Sequence, residues 1–219
     1  MFTIKRKHEK AAFLLLILRL LRVLCAALCV LLLFYGVYVA KLWALKRHGI
    51  NGRQIGKRKE RDIHTVELLM SVATVGIIPA QLLSIAFGWS LLPDGARFTG
   101  LSLGLLGDLL FCAAALRMRD SWRAGIPKED RTELVTDGIY AYSRNPAFLG
   151  FDLQYAGVLL MYCNPLTLAF SAFAVVTLHL QILQEERYLV STLGAPYLDY
   201  KRRVFRYLGR RKRKNDKSQ

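Results

Sequence analysis

Residues 145–183 read NPAFLGFDLQYAGVLLMYCNPLTLAFSAFAVVTLHLQIL. Two Asn-Pro pairs, Asn145-Pro146 and Asn164-Pro165, each open a long apolar run. Asparagine is a good helix N-cap, and proline suits the first helical position, where its missing N–H has no intrahelical partner to lose. The spacing predicts helices over about Ala147–Tyr162 and Leu166–Leu183 with only a short link around Cys163, a tight helical hairpin. The first arm, about 26 Å long, is marginal for a perpendicular membrane crossing. The second is expected to continue to Thr192, with Gly194 near its C-cap and Pro196 blocking extension.

Upstream of the hairpin lie three further apolar segments. The first, Phe13–Ala40, is interrupted by Arg19 and Arg22, whose side chains are expected to snorkel to an interface. Val23–Ala40 is then a run of 18 uncharged residues, just enough to span. It is far longer than a signal-peptide core, and no small-residue cleavage site follows before Lys41, so it reads as retained. The second segment, Val66–Leu92, contains Pro79, a candidate kink. The third, Phe98–Leu116, carries Gly100, Gly104 and Gly107, which allow close helix approach, and Asp108, which should face the protein interior. The fold class is therefore all-α, an integral membrane protein with about five transmembrane helices. Four parts follow: an N-terminal membrane segment and basic loop (1–65), a helix pair (66–116), a polar region with the hairpin (117–208) and a basic, disordered tail (209–219).

The 219 residues are 53% hydrophobic, with mean hydropathy +0.26, yet carry a net charge of +16. Both hold only because charge and apolar residues are segregated. The basic clusters, Lys5–Lys10, Lys41–Arg61, Arg117–Arg123 and Lys201–Lys217, sit beside the apolar runs. Such flanks mark the cytoplasmic side and attract anionic lipid headgroups. No aromatic-interleaved basic motif supports a nucleic-acid partner. Cys25, Cys29, Cys112 and Cys163 have neither metal-ligand spacing nor a disulfide framework, so no metal is expected. Residues 41–61 and the C-terminal tail are predicted to be cytoplasmic and the Pro93 turn external. Two placements of the first segment stay open: a span with its N-terminus outside, or an interfacial segment.

The chemistry-bearing residues cluster around the hairpin. They are Met118–Arg123, Thr132–Gly150 (TELVTDGIYAYSRNPAFLG), Glu185–Leu189 (EERYL) and Leu193–Val204 (LGAPYLDYKRRV). In order, spacing and membrane context these stretches resemble the isoprenylcysteine carboxyl methyltransferase and phospholipid N-methyltransferase superfamily of integral membrane enzymes. The resemblance covers about residues 117–208, and the first two spans add nothing to it.

It implies methyl transfer from S-adenosylmethionine to a lipophilic or membrane-embedded acceptor at the cytoplasmic face. Carried over by position, cofactor contacts fall on Thr132, Glu133, Leu134, Val135, Gly138, Tyr140, Asn145, Pro146, Ala147, Phe148 and Glu185, with Arg144 and Glu186 as catalytic candidates. The residue chemistry agrees. A Glu accepts from ribose hydroxyls or an ammonium, Arg144 pairs with a carboxylate, and Tyr140 or Phe148 covers an adenine. Backbone groups over Leu134–Gly138 suit a purine edge. Plainer readings stand beside these. Arg144 pairs with Glu185 or Glu186 to close the hairpin base, Gly138 is a turn residue, Trp122 is an interface anchor or a site wall, and His179 is a satisfied buried histidine or a base. Gln181 and Glu185 share a helix face at i, i+4.

Three positions depart from the family pattern. Asn145 stands where many members have His, Phe148 replaces a frequent tyrosine, and Gln181 stands where the prenylcysteine enzymes place the Arg that holds the substrate carboxylate. A neutral amide is a poor carboxylate anchor, which argues against a prenylcysteine acceptor. The alternatives are an NADPH-dependent membrane reductase of the sterol type and a non-catalytic scaffold or lipid-binding protein.

Overall fold

The computed structural model describes residues 2–56, 60–126 and 133–211, with side chains from residue 21 onward. Six α-helices follow in order: α1 (Phe2–Arg47), α2 (Arg61–Ala86), α3 (Gly95–Met118), α4 (Pro146–Met161), α5 (Pro165–Leu193) and α6 (Ala195–Arg203). Four stretches, Leu21–Arg47, Arg61–Ala86, Gly95–Ser121 and Pro165–Leu193, are long and apolar enough to cross a membrane, and α4 is a shorter apolar helix. The all-α membrane architecture read from the sequence is the one observed.

Between α4 and α5 the link is as short as expected, and the second Asn-Pro behaves as a helix start. Asn164 accepts from the backbone N–H groups of Leu166 and Thr167, while Thr167 Oγ1 accepts from the Asn164 N–H, completing a capping box. Asn145 differs. It sits at the N-cap position of α4 but makes no side-chain cap; its Nδ2 donates instead to the Arg206 carbonyl (3.2 Å) and Glu186 Oε1 (3.4 Å). The hairpin arms also pack mainly on other partners, α4 along α3 and α5 along α2.

Glycine explains the first of these pairings. A methyl group at Gly157 would sit 2.5 Å from the Gly104 nitrogen, and one at Gly100 would sit 2.5 Å from the Gly157 carbonyl oxygen. A methyl group at Gly107 would likewise sit 2.7 Å from the Gly150 carbonyl oxygen, and one at Gly150 would sit 2.9 Å from that of Gly107. The backbones of α3 and α4 are therefore in direct contact, which only residues without a Cβ permit. The Gly-x-x-x-Gly of α3 foretold a close approach; its partners on α4 did not stand out. Asp108, beside this contact, is buried as expected, and its carboxylate has no hydrogen-bond partner among the described residues.

At one end of the bundle Leu91 N–H donates to the Cys163 carbonyl and Asn164 Nδ2 to that of Trp89. Gly88, at φ +63°, ends α2 earlier than its apolar run suggests. Helix α2 passes through Pro79 without interruption. At this same end Ala27, Val30 and Leu31 of α1 pack with Ile85, Val158, Met161 and Tyr162. At the other end Phe34 and Leu45 of α1 pack with Phe111 and Trp122. Helix α1 thus runs the depth of the bundle, as a span rather than an interfacial segment would. The end of α1, the start of α2, the end of α3, the start of α4, the end of α5 and α6 all gather at this second end.

Replacing Gly157 by Leu is expected to force α3 and α4 apart, lowering stability by about 3 kcal/mol or preventing folding. Gly36→Ala, where nothing lies within 4 Å, should change stability by no more than about 0.5 kcal/mol. Thermal unfolding in detergent compares the two.

Candidate active site

The last helical turns of α5 bring an acidic pair to the crowded end of the bundle. Glu186 is buried and takes cations from three directions. Arg144, from the segment before α4, places Nη2 3.1 Å from Oε1. Arg206, after α6, donates from Nε to Oε1 and from Nη2 to Oε2, each at 3.0 Å. Lys201 Nζ lies 3.9 Å from Oε2. This two-pronged guanidinium–carboxylate geometry is strong and directional.

Backbone bonds reinforce the cluster. Arg144 N–H donates to the Phe205 carbonyl (3.1 Å) and Gly209 N–H to the Tyr142 carbonyl (2.7 Å), so residues 204–209 form a strap across the start of α4. Tyr200, on α6, donates its hydroxyl to the carbonyls of Tyr140 (2.6 Å) and Ser143 (3.2 Å). The Tyr197 phenol beside the cluster is pushed up to about 12, by burial first and then by the Glu186 charge, with Arg144 opposing. Its neutral, donating form is therefore the one present at ordinary pH.

One residue earlier, Glu185 faces a different space. A cavity of about 480 Å³ lies between α1, α2, the end of α3 and the start of α4, and Glu185 lines it with Ala147 and Phe148. Aromatic walls come from Tyr38, Phe111, Trp122 and Phe151. Phe111 and Phe151 pack edge to face at 5.2 Å, as do Tyr38 and Trp122 at 5.7 Å. Gln181 Nε2 donates to Glu185 Oε1 at 3.1 Å, across the helix face they share at i, i+4. Toward its apolar end the cavity is lined by Leu32, Val39, Val75 and Leu82, which are exposed on the outer, lipid-facing surface. Arg53 and Arg123 line it as well.

The wall carrying these arginines is built on a second buried carboxylate. Glu67, near the start of α2 and fully buried, accepts from the N–H groups of Gly56 (2.6 Å) and Ile126 (3.0 Å). Between these clamps the two segments pair directly: Gln54 N–H donates to the Ala124 carbonyl and Ala124 N–H to the Gly52 carbonyl, both at 2.8 Å. Gly125 is required there, at φ +88° with the Ile55 nitrogen 2.8 Å from where a Cβ would stand.

Of the residues singled out by sequence, Ala147, Phe148 and Glu185 line the cavity. Arg144, Asn145 and Glu186 form the ion cluster beside it. Pro146 opens α4 and is buried. Tyr140 is buried, and its phenol is raised by burial, then by nearby Tyr200 and Glu185. Leu134 packs on Tyr197, Tyr200 and Val204; Glu133 is exposed and Val135 half-buried. Gly138, at φ +57°, lies against Arg117, which pairs with Asp137. Thr132 lies outside the described residues. Trp122 is buried and walls the cavity. His179 bonds to the Tyr207 hydroxyl and stacks on its ring. Arg53, Arg206 and Glu67 had not stood out, and Arg123 had entered only as the end of the stretch Met118–Arg123. The arginines belong to basic runs that read as membrane flanks; Glu67, an acid set among the first apolar residues of α2, carried a signal of the kind noted for Asp108.

Comparison with known proteins bears on this end of the bundle. Residues 100–191 match the isoprenylcysteine carboxyl methyltransferase family. The chain is 34% identical over 110 residues to protein-S-isoprenylcysteine O-methyltransferase B of Arabidopsis thaliana, covering 48% of this chain and 55% of the relative. It is 33% identical over 109 residues to the protein-S-isoprenylcysteine O-methyltransferase of Mus musculus, covering 48% and 38%. For the Schizosaccharomyces pombe protein of that name, identity is 42% over 72 residues, covering 32% and 30%. The likeness to these membrane methyltransferases is therefore confined to residues 100–191, under half of the chain. The matches span only 30–55% of these relatives' length. Helices α1, α2 and α6 lie outside the matched region.

Glu186→Gln should leave Arg144 and Arg206 without their counter-charge and lower stability by about 3 kcal/mol. Arg202→Gln, which removes only the exposed pair with Asp199, should shift it by less than about 1 kcal/mol. Denaturant unfolding of the detergent-purified protein measures both.

Proposed function

We propose that this protein transfers the methyl group of S-adenosylmethionine to a lipophilic acceptor held in the bilayer, at the cytoplasmic end of the bundle. The supporting observation is the cavity itself. It joins an apolar side lined by lipid-facing residues to a polar side holding Glu185, at the end of the bundle that carries the family-matched motifs. The described basic residues of 41–56 and 201–211 lie at that same end, as positive-inside bias requires of a cytoplasmic face.

The donor set fits such a cofactor. The volume falls within the roughly 300–1,000 Å³ of small-ligand sites. A carboxylate beside Tyr38, Phe148 and Phe151 is a suitable setting for a sulfonium, which aromatic faces attract. Bound there, S-adenosylmethionine supplies a methyl group on a sulfonium whose leaving group is a neutral thioether. The protein's share is then alignment and exclusion of water. Glu185 accepts from the cofactor's hydroxyls or ammonium, with Gln181 fixing its orientation; Phe148 covers a ring face and Ala147 leaves room for it. Tyr140, Asn145 and Pro146, with Glu133, Leu134, Val135 and Gly138 leading to them, complete the proposed binding set, to which Thr132 also belongs. Arg144 and Glu186 act by position: their ion pair holds the start of α4 against the end of α5, and so holds Phe148 opposite Glu185. Isoprenylated cysteine is the acceptor class in the relatives' names, and a lipophilic acceptor is the part of it carried here.

Calorimetry on the detergent-purified protein tests this reading. Micromolar binding of S-adenosylmethionine is expected for the wild type and at least about tenfold weaker binding for Glu185→Ala. A folded wild type that binds NADPH instead, or neither molecule, overturns it.

A further inference from the structure

Helix α6 turns two different faces to its surroundings. Tyr197, Tyr200 and Val204, at its end, are buried against Leu134 and Leu189. The other face carries Leu198, Lys201 and Arg202 at i, i+3 and i+4, with Phe205 just beyond the helix. Leu198 and Phe205 are each 42% exposed, and Leu208 is 70% exposed. Exposed apolar side chains set beside lysine and arginine suit a helix lying along a membrane surface.

That outer face is indented. A pocket of about 360 Å³ is lined by Lys201, Arg202 and Arg211, by Leu198 and Phe205, and by Arg144, whose side chain is only 7% exposed. No carboxylate lines it among the described residues. The acids that its cations meet lie outside it and are shared. Glu186 serves Arg144, Arg206 and, at 3.9 Å, Lys201, while Asp199 serves Arg202. Positive charge is therefore in surplus before Arg211 is counted. The Arg202 pair is exposed on both sides, and such a pair contributes little that a stronger anion cannot replace. Arg211 lies over the Phe205 ring, 5.4 Å from its centroid; stacking occupies the flat face of a guanidinium and leaves its N–H edge to a phosphate. Arg144 Nε and Nη1 are buried with no hydrogen-bond partner among the described residues.

We propose that this pocket is a headgroup site for an anionic phospholipid, its phosphate held by Lys201, Arg202 and Arg211 and its acyl chains passing over Leu198 and Phe205. A phosphate gains charge-assisted bonds from several donors at once. The apolar rim favours a lipid over a free anion, and the basic end of the bundle is the one that faces an anionic leaflet. A choline or ethanolamine ammonium would meet cations here, and the Phe205 face that could attract it is already taken by Arg211. The pocket shares no lining residue with the cavity that holds Glu185, so the site requires neither methyl donor nor acceptor. Arg144 and Lys201 belong both to the pocket and to the Glu186 cluster. A bound phosphate thus adds a second counter-charge beside the ion pair that fixes the start of α4.

Calorimetry on the full-length, detergent-purified protein compares dioctanoyl phosphatidic acid, dioctanoyl phosphatidylcholine and inorganic phosphate. Phosphatidic acid is expected to bind at least about tenfold tighter than either of the others. The preference should vanish in the double variant Arg202→Gln/Arg211→Gln and persist in Arg202→Lys/Arg211→Lys. Lys46→Gln/Arg47→Gln removes the same charge from the end of α1, at the same end of the bundle, and should leave the preference intact. Equal binding of the two lipids, or no binding of either, overturns the proposal. So does inorganic phosphate binding as tightly as phosphatidic acid, which would make the site one for a soluble anion. Equal losses in the two Gln double variants would reduce the effect to diffuse surface charge and overturn it as well. Added S-adenosylmethionine should leave phosphatidic acid bound; displacement would give the pocket to the cofactor instead. Thermal unfolding of each variant, read alongside, separates lost binding from lost fold, and the comparison of ligands on the wild type stands without any variant.

Discussion

Glu186 is a buried carboxylate ringed by Arg144, Arg206 and Lys201, and these cations arrive from two separate stretches of chain, the segment before α4 and residues 201–206. A charge removed from water must be matched and hydrogen-bonded where it lies, so the segments that bring the matching groups are held wherever the carboxylate is. The start of α4, the end of α5 and the strap after α6 are therefore fixed relative to one another by one side chain. Both Phe148, in the first turn of α4, and Glu185, the neighbour of Glu186, take their places on the cavity wall from that arrangement.

A second buried carboxylate does the same for the facing wall. Glu67 gathers the backbone N–H groups of Gly56 and Ile126 and so unites the loop after α1 with the segment after α3. Helices α2 and α5, which carry these two acids, pack against each other, and α3 and α4 are held by glycine contact. The cavity is the space left between these rigid pairs and α1. Its dual character follows: polar where the loops and acidic residues meet, and apolar where the helices diverge toward the lipid.

Much of the site was legible in the chain. The Asn-Pro starts marked α4 and α5, the i, i+4 spacing put Gln181 and Glu185 on the one helix face where they meet, and Ala147, Phe148 and Glu185 do line one space. Arg144 combines with Glu186, one of the two acids it was offered as a partner. What stayed hidden has a common physical cause. Arg53, Arg123 and Arg206 sit in basic runs where any arginine looks like its neighbours, and only a contact made across the fold tells one that meets a carboxylate or lines a cavity from one that meets water. Asn145 looked like an ordinary N-cap because its local sequence is right for one; the carbonyl and carboxylate that draw its amide away come from residues 206 and 186.

The sequence by itself determined the helices, their apolar lengths, the end of the bundle where charge collects and the family that residues 100–191 resemble, because periodicity, capping and hydropathy are properties of neighbouring residues. The tertiary structure alone decided that α4 packs on α3 rather than on its hairpin partner, that Glu67 joins two distant loops, and that Arg53 and Arg123, 70 residues apart in the chain, line the same cavity as Glu185. Those outcomes depend on which surfaces can approach closely and which buried charges find partners, and both are settled only when segments far apart in the chain meet.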